Sequence, residues 1–585
     1  VHNSNKPFSC INKISCFCDT LAKILVAFFV MSFQPCLPTD DYLWDIREQV
    51  RKSFVLPLED VMILEAIRTA PGRFMTNIRN PKMRKNVAIL MVGKLLGLAL
   101  VLLVMNMFMP ATATRAQDVA SAAETAQINS INTMWTLIAA FLVFCMQAGF
   151  VMLEAGFARS RESVNILVEG IADTCICGLT FWAWGYAFMF QPGTPFIGTH
   201  GFFLQGLDPV FGGSTGLYGA TGVPVLAHWV FQFAFADTTS TITSGAMIGR
   251  CDFIGDILYS VAVTGFIYPI VGHWSWGPDG WLALMQPLPF RDFAGSTVVH
   301  SIGGAISLAG AIILGPRLGR VFKRDGGGPM KPHDLIVGSV GGLILWFGWY
   351  GFNPGSTLSG MDIQGIARVS FNTTMAACSA GMAALVISYI TSKKWDLGLT
   401  VNGFLAGLVA ITAGCYWVDP VGAFFIGLVA GIVVYAATEL LEYLRIDDPI
   451  GAVPVHLANG IWGTLAIGLF ASGSYGLPTS TGADTSTVVT GLFYGGGVGQ
   501  LVTQFIGSAS TVVVAFVAAY AIMWVIEAVT DLRLAPEKEI AGLDLEEHGI
   551  SAYPEYVLNG NDGTPKSLED AQKVLVRSKA PAAGD

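Results

Sequence analysis

The chain has 585 residues, 53% of them apolar and only 13% charged, with a net charge of −9 and a mean hydropathy of +0.56. Soluble domains carry about twice that share of charge. The composition excludes a disordered chain, a nucleic-acid binder with a basic face and an ordinary cytosolic enzyme, and it leaves an all-α polytopic membrane protein.

Residues 1–82 are mixed in composition, and their one apolar run, Ile24 to Phe33, is too short to span a bilayer. We read them as an N-terminal extension, with translation expected to start at Met75 or Met83. Residues 83–116 have the form of a secretory signal peptide. Arg84 and Lys85 precede an apolar stretch from Leu95 to Met109, and Ala111-Thr112-Ala113 supplies small residues for cleavage. An extra anchoring helix is the alternative reading of that stretch. The cysteine pairs Cys16/Cys18 and Cys175/Cys177 are spaced CxC, with no partner at zinc-finger spacing, so we read no metal site and no cofactor.

Residues 117–530 form the membrane domain. Apolar segments long enough for a ~30 Å hydrocarbon core lie near 132–157, 164–189, 223–248, 254–276, 294–315, 335–352, 366–391, 398–416, 420–443, 451–471 and 500–530, eleven in all. Basic residues gather in alternate connections: Arg159 and Arg161, Arg250, a group from Arg317 to Lys331, Lys393 and Lys394, Arg445, then Arg533 and Lys538. By the positive-inside rule this predicts an outside N-terminus and an inside C-terminus. Residues 531–585 are polar and form a cytosolic tail.

Spans five and ten share a pattern, Val299-His300-x-x-x-Gly304 and Val455-His456-x-x-x-Gly460. Each is the last span of a five-span half. An odd number of spans per half inserts the halves oppositely, which predicts a five-plus-five inverted repeat with one extra helix and a site near the midplane. Of eight histidines, only His300 and His456 sit in the body of apolar spans. His228 and His273 lie near span ends and suit the membrane interface. An ionisable group inside a span is a functional candidate with a partner to be named, and each of the two is the other's natural partner. The plainer alternative is a histidine bonded to a neighbouring backbone carbonyl. Each lies about six residues into its span from opposite faces, roughly 9 Å deep at ~1.5 Å per residue. The rings therefore meet only if both helices start recessed, for which Gly295 and Pro454 are suitable breaks. Two bonded imidazoles in an apolar lumen favour a small neutral solute over a bare metal cation.

Several long runs carry a resemblance: Asp292 to His300, Trp349 to Ser356, Asp447 to His456 and Gly542 to Gly549. From about Ile128 to Pro554 the chain resembles the Amt/Mep/Rh ammonium transporter family, closest to its Amt branch. The resemblance implies eleven helices around a pore in each subunit, a homotrimer in the cell membrane, and ammonium as substrate. It implies that Phe231, Trp276 and Ser356 recruit ammonium outside by cation–π contact and a hydroxyl acceptor. It implies that Phe235 and Phe352 close the pore, that His300 and His456 are its twin histidines, and that Asp292 supports them. Asp292 also suits a helix N-cap. Packing in a core or against lipid is the alternative for each aromatic taken alone. In the implied mechanism ammonium loses its proton near the phenylalanines and crosses as ammonia, with the proton following separately. A potassium ion has no proton to give up.

Two departures stand out. Gly249 occupies a place where the family commonly has a glutamate, and Asp237 is an unusual acid two residues beyond Phe235, facing either a subunit contact or the pore. The tail segment Asp544 to Gly549 resembles the family's cytosolic coupling segment, which implies a PII-type regulatory partner. A competing function is an ammonium sensor acting through a cytosolic partner. A fused sensor would carry its signalling module after the last span, where this chain has about fifty-five residues. An Rh-like gas channel is disfavoured by the outer tryptophan and serine, and no nucleophile–base pairing or nucleotide loop points to an enzyme.

Overall fold

A computed structural model describes residues 122–211, 221–479 and 482–554, all within the compact unit Ala116–Asp585. The expected extension (1–82) and signal segment (83–116) lie outside the described residues, as does the end of the tail.

The described residues are mostly helical. In order come α1 (Ala122–Phe157), α2 (Ser160–Phe190), α3 (Val225–Gly245), α4 (Phe253–Trp276), α5 (Ser296–Leu314) and α6 (Leu335–Phe352). They are followed by α7 (Ile363–Ser392), α8 (Leu397–Thr412), α9 (Pro420–Leu444), α10 (Val453–Phe470) and α11 (Gly499–Thr530). Two short helices, α12 (Pro536–Ala541) and α13 (Leu543–His548), begin the tail. Two small hairpins, β1–β2 (Gly193–Thr194 with Ile197–Gly198) and β3–β4 (Leu477–Pro478 with Ala483–Asp484), decorate the connections after α2 and α10.

Among the described residues nine helices are long and apolar enough to cross a membrane. The other two, α3 and α8, stand at the third and eighth places. Helix α3 is rich in hydroxyls towards its C-terminus, and it tolerates them because Thr238, Thr239, Thr241 and Thr243 each return a hydrogen bond to the carbonyl one turn back. Helix α8 is short, but α7, α9 and α10 enclose it, so it is buried along most of its length. Five helices start on aspartate caps, in which a side-chain oxygen accepts a backbone N–H of the first turn: Asp252, Asp334, Asp362, Asp396 and Asp419.

The connections gather at two ends. At one, Asp447 accepts Arg317 Nε at 2.8 Å and Arg320 Nε at 3.2 Å, while Arg250 donates to the carbonyls of Gly315 and Asp447. Burial raises a carboxyl's pKa, but the adjacent Arg317 guanidinium holds Asp447 well below the usual carboxylate range. The tail docks at this end: Glu539 accepts Arg533 NH2 at 2.7 Å and the Leu318 amide at 2.6 Å. The basic residues noted in alternate connections collect here. The space beside Gly249 is filled from another element. Gly249 has a φ of +82°, and a Cβ there would run into the Glu162 carboxylate, which pairs with Arg159. At the opposite end Tyr416 donates to Asp362 at 2.9 Å and the Gly193 amide donates to Asp279 at 2.7 Å.

Candidate functional site

Helices α5 and α10 do not begin as regular α-helices. Each opens with a π-helical segment, Ser296–Ser301 and Val453–Ala458, and the first carries His300, the second His456. Both starts are built alike. Asp292 Oδ1 accepts the amides of Gly295 and Ser296, and its Oδ2 those of Thr297 and Val298, at 2.8–3.0 Å. Asp448 accepts the amides of Gly451, Ala452 and Val453 at 2.8–3.1 Å. Gly295 and Gly451, each three residues after its aspartate, have φ values of +115° and +84°, which only glycine adopts freely. The sharp turns let both helices start deep in the bundle, and this closes the depth gap that regular spans would leave.

The two starts also cross reciprocally. A Cβ on Gly304 would meet the backbone of Leu457, the residue after His456, and one on Gly460 would meet Ser296 and Ser301, the latter following His300. Glycine at both crossings lets the backbones touch. His300 and His456 therefore meet with Nδ1···Nδ1 at 3.2 Å and ring centroids 5.2 Å apart. One nitrogen must donate and the other accept, so a single proton lies between the rings. His300 is fully buried, and its Nε2 has no hydrogen-bond partner among the described residues. A passing molecule that both donates and accepts a hydrogen bond suits that position.

Above the pair runs a ladder of rings. His300 lies 5.4 Å from Phe352, Phe352 stacks on Phe235 at 3.9 Å and 18°, and Phe235 lies 4.6 Å from Phe231. Trp349 flanks His300 at 5.1 Å, and Phe150 approaches His456 from below at 6.4 Å. Phe231 and Phe235 come from one face of α3, since residues four apart share a face. Over Phe235 opens a cavity of about 30 Å³, enough for a water-sized guest. It is lined by Phe231, Phe235, Trp276 and Ser356, and also by His228 and Gln232. The Trp276 indole N–H donates to the Asp292 carbonyl at 2.8 Å, so its ring is held firmly, and the Ser356 hydroxyl donates to the Phe352 carbonyl at 2.8 Å, which leaves its lone pairs for a guest.

The structure thus brings together Phe231, Phe235, Trp276, Phe352, Ser356, His300 and His456, with Asp292 beneath the indole. Three places differ from expectation. His228 and His273 are buried rather than interfacial: His228 stacks on Phe211 at 3.4 Å and contacts the Tyr186 hydroxyl at 2.9 Å, and His273 is bonded to the carbonyls of Met189 and Thr194. Asp237 turns from the rings towards α2, where it accepts the Thr174 hydroxyl at 3.1 Å. Asp448, to which the sequence reading gave no role, stands in the same relation to His456 as Asp292 does to His300. The signal was the shared spacing Asp-x-x-Gly-x-x-x-Val-His.

Known proteins share this architecture. The Ammonium Transporter Family profile matches residues 134–553. The ammonium transporter Amt2 of Archaeoglobus fulgidus is 40% identical over 479 residues, covering 80% of this chain and 97% of that one. Ammonium transporter 1 member 3 of Solanum lycopersicum is 34% identical over 446 residues, covering 74% and 94%. Among solved structures, a sensor Amt protein superposes with a TM-score of 0.63 at 36% identity, covering 72% of this chain and 99% of its own. Mep2 of Candida albicans gives 0.63 at 26%, covering 76% and 95%. The chain is therefore a multi-pass membrane protein that belongs to the Amt/Mep/Rh ammonium transporter family, in its Amt branch.

Proposed function

We propose that this protein moves ammonium across the cell membrane by recruiting the cation, removing its proton and passing ammonia. Ammonium enters the cavity over Phe235, held by the faces of Phe231 and Trp276 and by the Ser356 oxygen. Each aromatic face is worth roughly 0.5–2 kcal/mol to a cation. Deprotonation occurs at the stacked Phe235 and Phe352, because stripping water from a cation to pass between rings costs far more than stripping it from ammonia, and the released proton follows separately. Ammonia then passes His300 and His456, bonding to the His300 Nε2, which has no partner among the described residues. Potassium can share the cavity but has no proton to release.

The same reading takes the chain as eleven spans, with α1–α5 and α6–α10 as oppositely inserted halves and α11 as the extra helix. The paired starts of α5 and α10 and their reciprocal glycine crossings support it. The collection of basic residues at the tail end supports an outside N-terminus and an inside tail. The homotrimer and the PII-type partner at the inner face follow from family membership.

The observation that carries the transport reading is the His300–His456 contact directly below the stacked phenylalanines. Current and uptake recorded from proteoliposomes given ammonium pulses test it, with His300→Ala and His456→Ala as comparisons. Ammonium-dependent flux in the wild type, reduced in both variants, is expected. Since the chain also resembles a sensor Amt protein over most of that protein's length, the second reading is a sensor working through a cytosolic partner. A wild type with neither current nor flux supports that reading and overturns transport.

A further inference from the structure

Behind the rings, on the far side of α3, lies a second polar structure that the transport path does not use. Asn165, Glu169 and Asp173 recur every fourth residue on α2 and so share one face. They look towards Asp256 and Ser260 on α4, Asp237 on α3 and Glu154 on α1. The five carboxyls are each at most 6% exposed. Their contacts form a chain. Asp237 accepts Thr174, and Asp173 accepts Ser260. Glu169 accepts Tyr259 at 3.2 Å and Asn165 Nδ2 at 3.3 Å. Asp256 and Glu169 face each other, and Asp173 lies beside both Asp256 and Asp237. Asn165 then joins the tail: its Oδ1 meets His548 Nε2 at 2.9 Å, and its amide donates to Asp544 at 3.0 Å.

Two observations say what this seam holds. Among the described residues no lysine or arginine pairs with these five carboxyls. Nearby Arg159 is taken by Glu162, and Arg250, beyond Cys251, is bonded to backbone carbonyls. Buried carboxylates without a cation are costly, so a positive charge must accompany them. Oxygens of Asp173, Asp237 and Asp256 lie in the seam without a well-formed hydrogen bond, while the fully buried Ser240 hydroxyl faces Asp173 and the Glu169 carboxyl and Tyr259 hydroxyl face Asp256. Among the described residues no three acids, histidines or cysteines converge to hold a metal ion. The carboxyls are strung out rather than gathered around a point, which suits protons rather than an ion with a coordination shell.

We propose that this seam is a proton-binding lane, running from Asp237 inside the bundle to Asn165 and His548 at the tail end and exchanging protons with that surface. Each uptake moves one proton from a hydronium ion to a carboxylate oxygen, leaving water and a neutral carboxyl. The other titratable groups facing the lane are Tyr259 and Cys251, with Cys177 beside Asp173 and Asp237. The inference stands apart from the transport reading.

Infrared difference spectra of the full chain in lipid vesicles, taken as the buffer is switched from acid to alkaline, test it. The wild type is expected to show the C=O stretch of protonated carboxyls, with Glu169→Gln, Asp173→Asn and Asp256→Asn each removing one carboxyl's share. His548→Ala is expected to slow the exchange. Absence of the band in the wild type overturns the proposal without recourse to any variant, and so does a band unchanged in all three acid variants. Ammonium uptake by the same vesicles is read separately: loss of uptake with the band present counts against transport alone.

Discussion

Asp292 and Asp448 stand in one relation to His300 and His456: each lies eight residues before its histidine and collects the backbone amides of the turn that follows. Asp292 gathers four amides and is fully buried, whereas Asp448 gathers three and is partly exposed. Loss of a capping side chain costs ~0.5–2 kcal/mol. Asp292→Ala and Asp448→Ala should both lower the thermal midpoint of the detergent-solubilised protein, Asp292→Ala by more. Equal or absent shifts would show that the caps do not set the two starts.

The glycine crossings set how closely the imidazoles approach. Gly304→Ala and Gly460→Ala each place a methyl against backbone that cannot rotate away. Overpacking of this kind costs ~1–3 kcal/mol. We expect reduced thermal stability and lowered ammonium flux in both, checked by differential scanning fluorimetry and proteoliposome uptake.

The cavity over Phe235, proposed to recruit ammonium, allows affinity to be tested apart from passage. Trp276→Leu removes one aromatic face and the indole bond to the Asp292 carbonyl. Apparent ammonium affinity should fall about two- to thirty-fold, while the maximal rate changes less. Steady-state uptake over a range of ammonium concentrations checks this. A fall in maximal rate alone would place Trp276 in the barrier instead of the cavity.

Asp447 gives the tail end a defined pH dependence. Its pKa is depressed on folding by Arg317 against the effect of burial. It therefore lends stability that is fully present above the unfolded value of about 3.9 and is lost as pH falls towards the folded value. Thermal midpoints should owe no slope to this group above about pH 5 and should drop in stronger acid. Asp447→Asn removes that acid limb and, by stranding Arg317, costs ~3–5 kcal/mol at neutral pH.

The long apolar helices were legible because lipid demands runs that internal hydrogen bonding alone can satisfy. Helix α3 was legible through its place in the order, although its threonines dilute its hydropathy. The two histidines stood out as ionisable groups in apolar spans. The π-helical starts were not legible, since winding depends on tertiary contacts at Asp292 and Asp448 rather than on local propensity. The burial of His228 was missed because a residue near a span end is covered or left wet by loops that the span itself does not specify; here Phe211 supplies the cover. The acid stripe on α2 was present at a spacing of four, but as isolated letters it resembles a solvated helix face, and only the packing of α3 and α4 across it encloses it.

The rings of Phe235 and Phe352 lie face to face with no gap between their centres wider than 3.9 Å. Nothing slips between two such plates while they are at rest. On the proposed transport reading, every molecule that crosses must first wedge them apart, and the plates close again before the next arrives. Traffic is then counted out singly, and its pace on cooling should follow the swing of two side chains rather than the viscosity of water.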